Sequence, residues 1–92
     1  MIKKASVPKK RVAFKYYAPA AATVFLAGDF NEWDPQVRPL KQDSKGWWKT
    51  TVTLERDTYE YRFIVDGEWR NDPRISEERD NGLGSKNSVL CI

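Results

Sequence analysis

Three acidic side chains lie close together late in the chain and are of a type that could do chemistry: Glu77, Glu78 and Asp80. Clustered carboxylates can bind a hard cation, or act as the acid and the base of glycoside hydrolysis. Arg74 and Arg79 accompany them in a segment that we predict to be a loop, and this favours a solvated charge cluster. A catalytic carboxyl pair also needs a deep cleft, and 92 residues leave little material for one. We therefore expect neither a metal site nor a catalytic pair here.

Other catalytic residue types are scarce. The sequence contains no histidine, which removes the commonest general base and the commonest metal ligand. Its one cysteine, Cys91, lies on an apolar segment and cannot form an intrachain disulfide. The composition therefore predicts a protein that is not an enzyme and that uses no cofactor.

Two tryptophans occupy positions that are unusual for a core. Trp33 lies between Glu32 and Asp34, and Trp69 follows a predicted tight turn and precedes Arg70. Exposed indoles offer flat apolar faces that can stack on the C–H faces of sugar rings or pack against another protein. From composition alone, sugar binding and protein binding remain equally open.

The elements that must position these residues are strands. Apolar residues alternate with polar ones in several short runs separated by turn-forming residues, and no segment shows a helical period. The strongest hairpin signal is Asp66-Gly67, because both residues tolerate a positive φ. Alternation places Trp48 in the core and turns Trp47 the other way, either as a third aromatic residue at the surface or as a cover for a sheet edge, and we expect the second. We predict an all-β sandwich of about seven strands, at residues 11–17, 23–28, 37–40, 48–54, 58–65, 68–70 and 87–92.

Three motifs carry a family resemblance. Residues 24–33 read VFLAGDFNEW, residues 59–69 read YEYRFIVDGEW, and Asp72-Pro73 is followed by a closing segment at residues 84–90. In this order and spacing they resemble carbohydrate-binding module family 48. That family includes the glycogen-binding domain of AMP-activated kinase β subunits and the N-terminal domains of isoamylases and branching enzymes. The resemblance covers residues 11–92 and implies an immunoglobulin-like (early-set) β-sandwich that binds α-1,4-glucans.

The resemblance also implies roles for individual residues. Trp33 and Trp69 match the sugar-stacking tryptophans, Leu83 a leucine that lies against the glucan, and Asn87 an asparagine that binds hydroxyl groups. Arg62 replaces a lysine and Ser85 a threonine, so the charge and the hydroxyl are kept while the geometry of the donors changes. The alternative is a regulatory β-sandwich that uses this aromatic face to contact a glucan-metabolising enzyme.

The net charge of +3 is unevenly distributed, because residues 1–11 hold five cationic side chains and no acidic one. We expect residues 1–10 to form a flexible basic arm and residues 11–92 to form the glucan-binding domain. The rest of the chain is slightly acidic, which argues against nucleic acid as a partner. The sequence has no signal peptide and no apolar run long enough for a membrane span, so we expect a cytoplasmic protein without membrane contact.

Overall fold

Eight strands form two antiparallel sheets in the computed structural model, which describes residues 9–82 and 84–92. The strands are β1 (Lys9–Tyr17), β2 (Val24–Gly28), β3 (Lys41–Gln42), β4 (Trp47–Glu55), β5 (Thr58–Val65), β6 (Glu68–Arg70), β7 (Glu78–Asp80) and β8 (Lys86–Cys91). A three-stranded sheet has the order β1-β4-β3. A five-stranded sheet has the order β2-β5-β8-β7, with β6 also paired to β5. The predicted all-β sandwich is confirmed.

Alternating apolar residues of both sheets meet in one core. Phe14 of β1 lies edge-on to Tyr61 of β5, with ring centroids 5.0 Å apart, and Tyr16 packs on Phe63 at the same distance. The buried cluster is completed by Val24, Leu26, Leu40, Trp48, Val52 and Leu54. Trp48 is buried as predicted, and its indole Nε1–H donates to the carbonyl of Ala18 at 2.8 Å. One face of each sheet is therefore committed to the core, and the opposite faces are available to other contacts.

Apart from shifts of one residue in β2, β4 and β8, the strands differ from the predictions in three places. β1 begins at Lys9, two residues before the predicted start, because Lys9 and Lys10 pair with Glu55 and Leu54 of β4. The predicted strand at residues 37–40 forms only a single bridge, from Pro39 to Phe25, and the pairing with β4 starts at Lys41. The strand Glu78–Asp80 lies in a segment predicted to be a loop, since its three exposed charged residues show no apolar alternation.

Trp47 also differs from its prediction. It belongs to β4, the central strand of the three-stranded sheet, so it does not cover an edge. Its ring packs against that of Tyr17 on the outer face, with centroids 5.2 Å apart. In the described parts of the chain, no helix has the length and apolar character needed to cross a membrane.

Candidate functional site

A groove of about 560 Å³ opens on the outer face of the five-stranded sheet. Five of the six residues singled out from the sequence line it, together with one that was not: Trp33, Arg62, Trp69, Ser85, Asn87 and Asn81. The sixth predicted residue, Leu83, lies outside the described residues. Residues from four separate segments thus converge on one surface.

A tight hairpin holds Trp69 outward. Asp66 and Gly67 connect β5 to β6 with φ values of 49° and 83°, as the sequence predicted for a primed turn. The pairing of β5 with β6 places Trp69 opposite Ile64 on the outer face, where 41% of the surface of Trp69 is exposed. The Asp66 carboxylate accepts hydrogen bonds of 2.8 and 2.9 Å from the amides of residues 22–23. These hydrogen bonds attach the hairpin to the segment that precedes β2, and they therefore fix the strand that carries Trp69.

A compact loop after β2 presents Trp33. Asp29–Asn31 form a short 3-10 turn, after which Glu32 and Trp33 both have φ near 57°, in the left-handed region. The Trp33 amide donates to the Gly28 carbonyl at 3.0 Å, and its indole Nε1–H donates to Asp29 Oδ1 at 3.0 Å. The other Asp29 oxygen accepts the Glu60 amide of β5 at 2.8 Å. Asp29 therefore links the orientation of the Trp33 ring to β5, an inner strand of the sheet.

The glycine that starts this loop is required by close packing. A Cβ at Gly28 would lie 2.7 Å from the Glu60 carbonyl oxygen and 2.8 Å from the Phe30 ring. The Asn31 side chain closes the same turn, accepting from the Gly28 amide and donating to the Leu26 carbonyl. These contacts explain why glycine and asparagine occur at these positions of the first motif.

The two indoles form an inclined pair. Their ring centroids are 6.3 Å apart, and the ring planes are tilted by 40°. Two faces inclined in this way fit a ligand whose successive rings change direction, whereas a flat ligand requires coplanar aromatic rings.

Polar side chains line the groove beside the two indoles. The Arg62 guanidinium lies 6.0 Å from the centre of the Trp69 ring, and its Nη2 donates to the Trp69 carbonyl at 3.4 Å. The Nε–H of Arg62 is buried and has no acceptor among the described residues. A buried donor without a partner costs about 1–3 kcal/mol, a cost that the rest of the fold offsets.

Glu60 orients the neighbouring amide and was not identified from the sequence. Its carboxylate accepts from Asn87 Nδ2 at 3.0 Å and from Arg79 Nη1 at 3.3 Å. Since the amide nitrogen of Asn87 is held by Glu60, its carbonyl oxygen is turned to accept hydrogen bonds. Alternation along β5, which puts Glu60 on the same face as Arg62, was the available signal.

The β7–β8 hairpin completes the groove. The amide of Asn81 donates to the Ser85 carbonyl at 3.0 Å, and the Ser85 amide donates back to Asn81 Oδ1 at 3.4 Å. Gly82 and Gly84 between them have φ of 77° and 82°. Asn81 was missed because only the pairing of β7 with β8 brings it to the groove.

A buried pair beneath the groove anchors the chain after β6. The Tyr61 hydroxyl donates to Asp72 Oδ2 at 2.7 Å, and the Asp72 amide donates to Ser88 Oγ at 2.9 Å. Burial, followed by the Asp72 carboxylate, raises the pKa of Tyr61 far above its ordinary value, so the phenol stays protonated. This pair explains the aspartate of the Asp72-Pro73 motif.

The acidic cluster is dispersed in the structure. Glu78 accepts from Asn71 Nδ2 at 2.7 Å, and Asp80 accepts from the Gly82 amide at 2.8 Å. Over the described residues, no three histidine, cysteine or acidic side chains are arranged to hold a metal ion. The carboxylates of Glu78 and Asp80 thus accept local hydrogen bonds.

Comparison with known proteins points to the same type of domain. A family described as the glycogen recognition site of AMP-activated protein kinase matches residues 11–92. Protein FLOURY ENDOSPERM 6, chloroplastic, of rice is 33% identical over 82 residues, which cover 89% of this chain and 15% of that protein. Protein PTST homolog 2, chloroplastic, of Arabidopsis thaliana is 36% identical over the same length and with the same coverage of both proteins.

A branching enzyme is similar over a shorter region. The 1,4-alpha-glucan branching enzyme GlgB of Lactobacillus acidophilus is 36% identical over 52 residues, or 56% of this chain and 8% of the enzyme. The chain thus spans only a small part of each of these relatives, about one seventh at most. By the family match over residues 11–92, the chain belongs to the glycogen-recognition family of carbohydrate-binding domains.

Proposed function

We propose that this carbohydrate-binding domain holds α-1,4-glucan chains of glycogen or starch in the groove, with Trp33 and Trp69 stacked on successive sugar rings. The observation that supports this is the inclined pair of indoles in the groove, with ring centroids 6.3 Å apart, beside several hydrogen-bonding side chains. Pyranose rings have apolar faces and hydroxyl edges, and the groove offers a partner for each. An α-1,4-linked chain coils, so its successive rings are inclined as the two indoles are.

The polar residues have separate proposed roles. Arg62 donates to hydroxyl oxygens, the Asn87 carbonyl accepts from hydroxyl hydrogens, and Ser85 can do both. Leu83, which lies outside the described residues, keeps its proposed role of packing against the glucan. Asn81 joins this set because it lines the same groove.

The domain itself is proposed to be non-catalytic. The chain offers no histidine, and its carboxylates beside the groove are held by Asn87, Arg79, Asn71 and Gly82. We propose that it brings a glucan-active enzyme, on the same chain or on a partner, to its substrate. A reducing compartment such as the cytoplasm is the proposed location, on the basis of the single free cysteine, Cys91.

The test is an NMR titration with neutral α-glucans that follows the indole N–H signals. Maltoheptaose and β-cyclodextrin should shift Trp33 and Trp69 with a Kd on the order of 10 µM to 1 mM, because a few stacked rings are offset by ordering costs. Maltose should bind more weakly since it is too short to engage both indoles fully. Cellohexaose that binds as well as maltoheptaose would contradict the α-glucan assignment.

Variants assign the binding to the groove. Trp33→Ala and Trp69→Ala should each abolish detectable maltoheptaose binding and leave the folded NMR spectrum largely unchanged. Val37→Ala, which removes an exposed apolar side chain elsewhere, should bind like the wild type. Indole signals that no glucan moves would instead favour the protein-interaction alternative.

The domain boundary is a further proposal. Because β1 begins at Lys9, we propose that the binding domain extends from residue 9 to residue 92 and that residues 1–8 are an accessory arm. Deleting residues 1–8 should change neither the melting temperature nor the affinity for maltoheptaose, whereas deleting residues 1–10 removes two paired residues of β1. A loss of either property in the shorter deletion would place the arm within the domain.

A further inference from the structure

The two sheets carry opposite charge. The segments that build the three-stranded sheet, residues 9–17 and 41–55, contain seven cationic side chains and two acidic ones. The remaining described segments, residues 18–40, 56–82 and 84–92, contain seven cationic and eleven acidic side chains. The basic character attributed to an N-terminal arm therefore belongs in large part to one sheet of the folded domain.

Three lysines form a row across that sheet. The strand register places Lys15 opposite Lys49, and Lys49 opposite Lys41, on the outer face. Like charges directly opposite each other destabilise a sheet, so this row weakens the fold unless something else offsets it. Asp43 neutralises only the central lysine, with Oδ2 2.9 Å from Lys49 Nζ. Over the described residues, Lys15 and Lys41 have no acidic partner, and the other acidic residue of this sheet, Glu55, lies at its far end opposite Lys9.

An aromatic pair, with Tyr17 exposed and Trp47 half-buried, adjoins the row. Tyr17 and Trp47 pair across the same two strands as Lys15 and Lys49, two residues further along, which places them about 7 Å from the lysines. Their rings lie 5.2 Å apart with a tilt of 57°, and 54% of Tyr17 is exposed. The arrangement resembles the indole pair of the groove, but it stands beside cationic groups.

We propose that this outer face, defined by Lys15, Lys41, Lys49, Tyr17 and Trp47, is a second binding surface for α-glucan that carries phosphate monoesters. A sugar ring packs on the aromatic pair, and a phosphate on the same or the next ring lies over the lysines. The positive charge of the lysines favours an anionic ligand, and the aromatic pair favours a ligand whose rings have apolar faces. The identity of the sugar rests on the proposed function of the groove. Because the two surfaces face away from each other, they would engage different chains or distant parts of one polymer.

The first experiment compares matched polymers. Phosphorylated amylopectin and the same preparation after phosphatase treatment are titrated against the wild type at low salt. The wild type should bind the phosphorylated form about 3- to 10-fold more tightly, the range expected for two exposed ion pairs, and the preference should vanish at high salt. Lys15→Gln combined with Lys41→Gln should remove the preference, whereas Arg38→Gln, which removes one exposed cation outside both surfaces, should keep it. Equal affinity of the wild type for both polymers would overturn the proposal.

The second experiment separates the sugar from the phosphate. Glucose 6-phosphate should shift the Trp47 indole signal at lower concentration than either inorganic phosphate or glucose. Tyr17→Ser should remove its advantage over inorganic phosphate. An acidic peptide or a single-stranded oligonucleotide that binds this face more tightly than phosphorylated amylopectin would assign it to another class of partner and overturn the proposal.

The two proposals can fail independently. Binding of neutral maltoheptaose is followed at the indole signals of Trp33 and Trp69, whereas binding of glucose 6-phosphate is followed at the indole signal of Trp47. The double lysine variant should also melt at or above the wild-type temperature because it relieves repulsion between like charges. A markedly lower melting temperature would show that the lysines support the fold, and would overturn their assignment to ligand.

Discussion

Trp48 lies between the two sheets with 9% of its surface exposed, whereas Trp69 lies on an outer face with 41% exposed. Trp48 lies in the nine-residue β4 and Trp69 in the three-residue β6, and each has a charged neighbour in the sequence. The indole N–H of Trp48 is satisfied by the Ala18 carbonyl, and its ring fills space between strands. The strand register decides whether a tryptophan points into the core or lies on an outer face. The contrast shows that this placement determines whether the side chain contributes to stability or is available for recognition.

The largest effect should come from truncating the two tryptophans in turn. Trp48→Ala should reduce the free energy of unfolding by about 3–5 kcal/mol, since it leaves a cavity and removes the donor to Ala18. Trp69→Ala should reduce it by less than about 1 kcal/mol, as expected for a substitution outside the core. Urea denaturation of both variants measures the difference. Equal destabilisation would mean that Trp69 belongs to the core and that the groove is misassigned.

An intermediate effect should come from Asp29, which joins the groove to the sheet. Asp29→Ala removes the acceptor of the Trp33 indole N–H and of the Glu60 amide. Neutral-glucan affinity should fall about 3- to 10-fold because Trp33 loses its fixed orientation, a change of about 1 kcal/mol. Calorimetric titration with maltoheptaose would measure it. Asp34→Ala is the control and should bind normally, because the Asp34 carboxylate accepts only the nearby Gln36 amide among the described residues.

The smallest effect concerns acid stability on the side away from the groove. The hydrogen bond from Lys49, with backbone amides of Lys45 and Trp47, lowers the pKa of Asp43 from 3.8 to about 2. A carboxyl group with a lowered pKa in the folded state stabilises the protein above its unfolded pKa, and this contribution is lost as the pH falls from about 4 through 2. Asp43→Asn should therefore flatten the acid limb of the melting-temperature profile slightly between those values. The same slope in the variant and the wild type would contradict this role for Asp43.

Local patterns predicted the parts of the structure that depend on neighbours in sequence. Alternation placed Trp48 inside, and Asp66-Gly67 identified the hairpin that carries Trp69. The motifs brought Arg62, Ser85 and Asn87 into the predicted site, and the structure shows that they line one groove. Whether these side chains contact glucan stays a prediction.

Long-range pairing explains what the sequence did not reveal. Asn81 reaches the groove because exposed, charged β7 pairs with β8, and no apolar pattern indicates that strand. The position of Trp47 follows from β4 lying in the middle of its sheet, which is a property of strand order. The sequence pattern does not indicate the lysine row either. Its members, Lys15, Lys49 and Lys41, come from three strands that only the strand pairing brings together.

The inclined indole pair has an optical consequence. Two indoles whose centres are 6.3 Å apart and whose planes differ by 40° couple their electronic transitions, so they should produce a paired positive and negative band in circular dichroism. The sign and strength of such a band depend on the angle between the rings. Circular dichroism should therefore report the relative orientation of the Trp33 and Trp69 rings in solution, without an added label.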